Sequence, residues 1–161
     1  MAYLKNNFNG KVGKPKTRFK VKRIENSLLF FFQAEQSSLY SYSNKDNDDI
    51  WKGCAVEVFL DLGDDFYYEF EVAPNGATFV ATIKDRKITF IDNDFFHADV
   101  EIKNDEYFAI MYVDLNKLNI SSDIKFNAFR IEMEEGQDQQ LFALNPTLCG
   151  TFHVREKFIK L

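Results

Sequence analysis

The chain has 161 residues, is 45% hydrophobic and 28% charged, and carries a formal net charge of −5; 18 Phe and 7 Tyr raise its aromatic share to 16%. That length lets one domain, residues 1–161, bury about two-thirds of its unfolded surface without disulfide or metal staples, and the aromatic richness favours strands over helices. The acidic balance argues against a nucleic-acid partner, whose phosphates call for clustered Lys and Arg.

Along the chain, the N-terminal stretch Met1-Ala2-Tyr3-Leu4-Lys5-Asn6-Asn7 has no apolar signal-peptide core. The expectation is a cytoplasmic protein, or a secreted one seen without its leader. The basic run 11–22 reads as a solvated strand and loop. The longest apolar runs, such as Leu28-Leu29-Phe30-Phe31-Phe32, fall far short of the ~20 residues needed to span a bilayer, so no membrane association is expected.

Alternation of period two recurs throughout, and no apolar stripe of helical spacing is sustained. Strands are expected at 17–23, 28–34, 55–61, 66–73, 78–84, 87–91, 98–103, 107–114, 124–133, 140–144 and 158–161. Short strands with Asn- and Asp-rich turns, as at Glu25-Asn26, Asp85-Arg86, Asn104-Asp105 and Pro74-Asn75-Gly76, predict an all-β, two-sheet antiparallel sandwich. A short helical turn is expected at 115–118. Residues 36–50 form a long Ser/Asn/Asp loop suited to carrying function.

The chain's single tryptophan, Trp51, ends that loop, six residues before Glu57. An exposed aromatic plate beside a fixed carboxylate suits a sugar, whose C–H face stacks on the ring while its hydroxyls seek acceptors. A core tryptophan followed by an amphipathic strand is the plainer alternative. Strand parity sets Val56, Val58 and Leu60 on one face and Glu57, Phe59 and Asp61 on the other. It likewise separates Phe66, Tyr68, Phe70 and Val72 from Tyr67, Glu69 and Glu71. If the two strands pair, one sheet face carries carboxylates and tyrosine, with Trp51 at its rim.

These residues resemble the family 9 carbohydrate-binding modules. The likeness runs through Ile50-Trp51-Lys52-Gly53-Cys54-Ala55-Val56-Glu57-Val58-Phe59-Leu60-Asp61 and Tyr67-Tyr68-Glu69-Phe70-Glu71-Val72-Ala73-Pro74-Asn75-Gly76. It continues through Phe126-Asn127-Ala128-Phe129-Arg130, Asn145-Pro146-Thr147 and Phe152-His153-Val154-Arg155-Glu156-Lys157-Phe158. The resemblance implies a jelly-roll-like sandwich without catalysis, and a sugar unit held between two aromatic plates with a glutamate on its hydroxyls. Trp51 and Glu57 match the first plate and that glutamate, and Phe152 falls at the second plate. Where the sugar-binding members carry an arginine and a glutamine, direct counting lands on Glu71 and Phe129. A one-residue bulge would instead bring Arg130 into the site opposite Glu57 and Glu71, with Phe129, Ile131 and Met133 forming the core face.

The ligand-binding set expected is therefore Trp51, Glu57, Phe152, Glu71 and Arg130, with the end of an oligo- or polysaccharide as partner and no cofactor. Three alternatives stay open. Glu57, Glu69 and Glu71 on one face raise a glycosidase, which needs two carboxyls across a glycosidic bond. Cys54, Cys149 and His153 raise zinc, and Asp46, Asp48 and Asp49, or Asp61, Asp64 and Asp65, raise calcium, although neither set matches a defined metal loop. A protein-interaction sandwich that has lost its sugar is the third; it would show an apolar patch without converging polar groups.

Overall fold

The computed structural model describes residues 1–120 and 122–161. The described residues form strands β1 (Ala2–Tyr3), β2 (Lys5–Asn6), β3 (Thr17–Ile24), β4 (Ser27–Ala34), β5 (Ala55–Asp61), β6 (Tyr67–Val72), β7 (Thr78–Lys84), β8 (Lys87–Phe90), β9 (Phe96–Lys103), β10 (Glu106–Asp114), β11 (Lys125–Glu132), β12 (Gln140–Ala143) and β13 (Ile159–Lys160). Among the described residues, helix is confined to three 3-10 turns, Ile50–Lys52, Leu115–Lys117 and Arg155–Lys157. The second lies where a turn was expected. The other two, and the two-residue strands β1 and β2, carry too short a pattern to show in periodicity.

One sheet has the order β1-β3-β4-β10-β9; the other runs β2-β12-β11-β5-β6-β7-β8, with β13 alongside β11. Every pairing is antiparallel, giving the expected two-sheet sandwich. The turn chemistry explains the hairpins. Asp85 and Arg86 both take positive φ, 49° and 63°, between paired Lys84 and Lys87, which is the twist a two-residue hairpin needs. Asn104, at φ 56°, serves the β9–β10 turn in the same way.

Between the sheets, Leu28, Phe30 and Phe32 of β4 meet Val56, Val58 and Leu60 of β5 and Phe70 and Val72 of β6. Those of β5 and β6 are the residues that alternation sets on one face. The opposite face of the second sheet is covered as well. Phe59, Phe79, Phe129, Ile131, Phe152 and Phe158 form a second apolar cluster there, so every residue of β5 and β6 is buried. That face carries the carboxylates and tyrosine expected of it, and the C-terminal segment folds over it and buries them.

Arg130 does not enter the site. β11 pairs with β5 without a bulge, Phe129 opposite Glu57 and Arg130 opposite Val56, so Arg130 points between the sheets. There its guanidinium donates to the Lys16 and Glu35 carbonyls, to Thr17 Oγ1 at 2.9 Å and to Glu132 Oε2 at 2.6 Å. A buried arginine is tolerable because a buried carboxylate and the ends of the first sheet supply its acceptors. Phe129 and Ile131 consequently lie in the outer cluster, and not in the inter-sheet core expected for them.

Candidate functional site

Strand register assembles the floor of a cleft on the covered face. Across the second sheet, Ala143, Phe129, Glu57, Glu71 and Phe79 fall in one cross-strand row, and Phe59, Glu69 and Ala81 in the next. Carboxyl oxygens of Glu57, Glu69 and Glu71 lie within 4.8 Å of one another. All three side chains are buried, and each keeps one oxygen, Glu57 Oε1, Glu69 Oε2 and Glu71 Oε2, without a hydrogen-bond partner in the protein.

Three carboxyls so placed cannot all ionise easily. Burial pushes Glu57 well above the usual carboxylate range, and the nearby Glu69 adds to it. Burial does the same to Glu71, helped by repulsion from Glu57 and Glu69, and raises Glu69 to about 7. The floor therefore holds protons at neutral pH. Like charges directly opposite one another across a strand pair destabilise a sheet, and protonation relieves this.

The C-terminal segment forms the cleft's far wall and is tied down by side chains to which sequence reasoning gave no anchoring role. Asn7 donates to Thr147 Oγ1 and the Cys149 carbonyl and accepts from the Thr147 N–H; Asn127 both donates to and accepts from the backbone of Asn145. Arg155 makes a bidentate pair with Asp61 at 2.7 and 2.8 Å. Between these anchors, Phe152 stacks on Phe129 with ring centres 4.3 Å apart. His153 stacks on Phe59, and its Nδ1 hydrogen-bonds the Tyr67 hydroxyl at 2.7 Å. Burial, seconded by Arg86, lowers the His153 pKa, so the ring is neutral at neutral pH.

Trp51 stands at the rim, 40% exposed, in the 3-10 turn before β5. Gln139 Nε2 donates to its carbonyl at 2.7 Å, and the Lys52 ammonium sits 5.4 Å from its ring centre. The approach of Gly53 to the backbone of Tyr40 and Tyr42 holds the turn against the preceding loop.

Trp51, Glu57, Glu71 and Phe152 thus line one cleft of about 310 Å³, together with Glu69, Gln139, Thr151 and His153. No Lys or Arg is among the described residues that line it. Glu69 was legible as a face-mate of Glu71 from parity. Gln139 and the wall residue Phe79 had no local signal. The zinc candidates do not converge: Cys54 bonds Ser38 and the Met133 carbonyl, while Cys149 bonds Thr147 and Thr151. Among the calcium candidates, Asp46 accepts from Thr78, Asp48 from Ser43 and Asp61 from Arg155, so protein donors already engage them.

The family model for Carbohydrate-binding family 9 matches residues 5–103, more than half of the chain. An extracellular protein of Arthroderma benhamiae is 34% identical over 74 residues, which is 43% of this chain and 33% of that relative. The match thus spans about a third of the relative's length. Among solved structures, a candidate carbohydrate-binding protein from Bacteroides uniformis superposes with a TM-score of 0.81 at 16% identity, over 98% of this chain and 83% of the other. A family 9 carbohydrate-binding module from Caldicellulosiruptor kristjanssonii in complex with cellotriose gives 0.64 at 15% identity, over 88% and 71% of the two chains. The same description in complex with glucose gives 0.62 at 15%, over 88% and 73%. At these identities the likeness is one of fold. The family match, which spans β2 to β9 and so includes Trp51, Glu57, Glu69 and Glu71, shows that this chain belongs to carbohydrate-binding family 9, a family of non-catalytic modules.

Proposed function

We propose that this protein binds carbohydrate without cleaving it, taking one sugar unit into the cleft between Trp51 and Phe152. The observation that carries the reading is the meeting of an exposed tryptophan with three buried carboxyl oxygens that lack protein partners. The ring of the sugar lies on Trp51, with the outer edge of Phe152 opposing it. Hydroxyls on its rim reach Glu57 and Glu71, and Glu69 and Gln139 stand within the same cleft. A volume of about 310 Å³ is at the small end of ligand sites, which suits a terminal sugar unit better than the middle of a long chain.

Two features support binding over catalysis. The three carboxyls share one floor, whereas glycoside hydrolysis sets an acid and a base or nucleophile on either side of the bond. Family membership points the same way. Convergence of polar groups beneath the aromatic rim also favours a sugar over a protein surface, which would present an apolar patch alone.

Titration calorimetry with gluco- and xylo-oligosaccharides tests the reading. Binding is expected, weakened about tenfold or more in Trp51→Ala. If no saccharide binds, or if Trp51→Ala binds like the parent, the protein-interaction alternative replaces it.

A further inference from the structure

Resting on the carbohydrate reading, we infer that the cleft selects a sugar unit bearing a free ammonium group, such as a 2-amino-2-deoxyhexose, over its neutral hydroxyl counterpart. The floor is unusual in its donors and acceptors. Glu57, Glu69 and Glu71 each hold an unpartnered buried oxygen, and carboxyl oxygens of the three lie within 4.8 Å of one another. The lining has no Lys or Arg among the described residues, and its one histidine is committed to Tyr67. Of the exposed cations near the cleft, Lys52 is engaged by Asp49 at 2.6 Å, and Arg86 stands on the far side of His153 in an adjoining pocket.

A hydroxyl brings one donor hydrogen, so a neutral sugar satisfies such a cluster piecemeal. An ammonium brings three donors on one atom and no acceptor. With charge-assisted bonds of about 2.8 Å in a tetrahedral arrangement, its acceptors stand about 4.6 Å apart. Carboxyl oxygens of the triad all lie inside 4.8 Å of one another, close enough for a single ammonium to reach all three. An ammonium can also take the place of the carboxyl protons, because its charge offsets the repulsion that protonation otherwise relieves. A bare calcium ion fits less well, because it takes about 6–8 oxygen ligands and the walls beside the triad are the side chains of Phe79, Ile131 and Phe152. Nor would an ion use the Trp51 plate at the rim.

The test is calorimetric titration of the intact protein with glucosamine, glucose, N-acetylglucosamine and calcium chloride at neutral pH, where the sugar amine is largely charged and can displace protons from the floor. Glucosamine is expected to bind about tenfold tighter than glucose, with N-acetylglucosamine no tighter than glucose, and added salt should narrow the gap. Glu71→Gln and Glu69→Gln, both of which remove repulsion and preserve shape, should each lower the glucosamine-to-glucose ratio by about threefold or more. Equal affinities for glucosamine and glucose would overturn this inference and leave carbohydrate binding standing. Failure of every sugar would overturn both. Calcium binding that Glu71→Gln abolishes, without any preference for glucosamine, would assign the triad to a metal ion and overturn it too.

Discussion

Glu57 and Glu71 are directly opposed partners on neighbouring antiparallel strands, and both side chains are almost fully buried, at 2% and 1% exposure. Such a pair costs stability when ionised, and it lies at the floor of the cleft where, among the described residues, an exposed tryptophan meets buried carboxyls.

The pH dependence of stability follows from the floor. The three carboxyls titrate higher in the folded chain than their usual value near 4.5, so the folded state holds more protons than the unfolded one. Their stabilisation is fully present below about 4.5 and is lost as pH rises through the folded values, which for Glu69 means about 7. Thermal midpoints should therefore fall between pH 5 and pH 8. Glu69→Gln should reduce that slope and raise stability at pH 8 on the order of 2 kcal/mol. An unchanged slope in the variant would contradict the assignment.

Trp51 is expected to report on saccharide binding with little involvement in folding. At 40% exposure, its replacement by Ala should change stability by no more than about 1 kcal/mol in a urea melt. Because it is the sole tryptophan, intrinsic fluorescence in the parent protein reads the cleft alone. Saccharide should shift that emission, and Glu57→Gln should weaken the response about tenfold or more.

Phe152 should behave differently. It is 6% exposed and stacks on Phe129, so Phe152→Ala removes core packing and one cleft wall together. A loss of about 3 kcal/mol in denaturant unfolding is expected alongside weaker saccharide binding. Stability loss without any effect on binding would take Phe152 out of the site.

Arg130 belongs to the sandwich interior. Arg130→Met leaves Glu132 buried without its partner at 2.6 Å, and should cost about 3–5 kcal/mol by urea titration. Saccharide affinity, measured where the variant is still folded, should stay within about twofold, because the side chain lies on the opposite face of the sheet.

Gly53→Ala probes how the Trp51 turn is held. An added Cβ would lie 2.6 Å from the Tyr42 nitrogen and 2.8 Å from the Tyr40 oxygen, both backbone atoms that cannot rotate aside. A loss of about 1–3 kcal/mol and a blunted fluorescence response to saccharide are expected, since the loop must move and Trp51 with it.

Alternation along the chain determined which residues share a face within β5 and within β6, and so placed Glu69 with Glu71, with Glu57 joining them on condition that the two strands pair. It also determined the two-sheet class and the hairpin turns, because side-chain direction in a strand and positive φ at turns are local properties. Tertiary structure decided the rest. Whether that carboxylate face met water or a second apolar layer depended on where residues 145–158 return, which contacts from Asn7, Asn127 and Asp61 far along the chain control. Arg130 shows the same limit. Its strand offers two faces of similar apolar character, and the choice rested on acceptors at Lys16, Thr17, Glu35 and Glu132, most of them distant in sequence, which no local pattern could bring together.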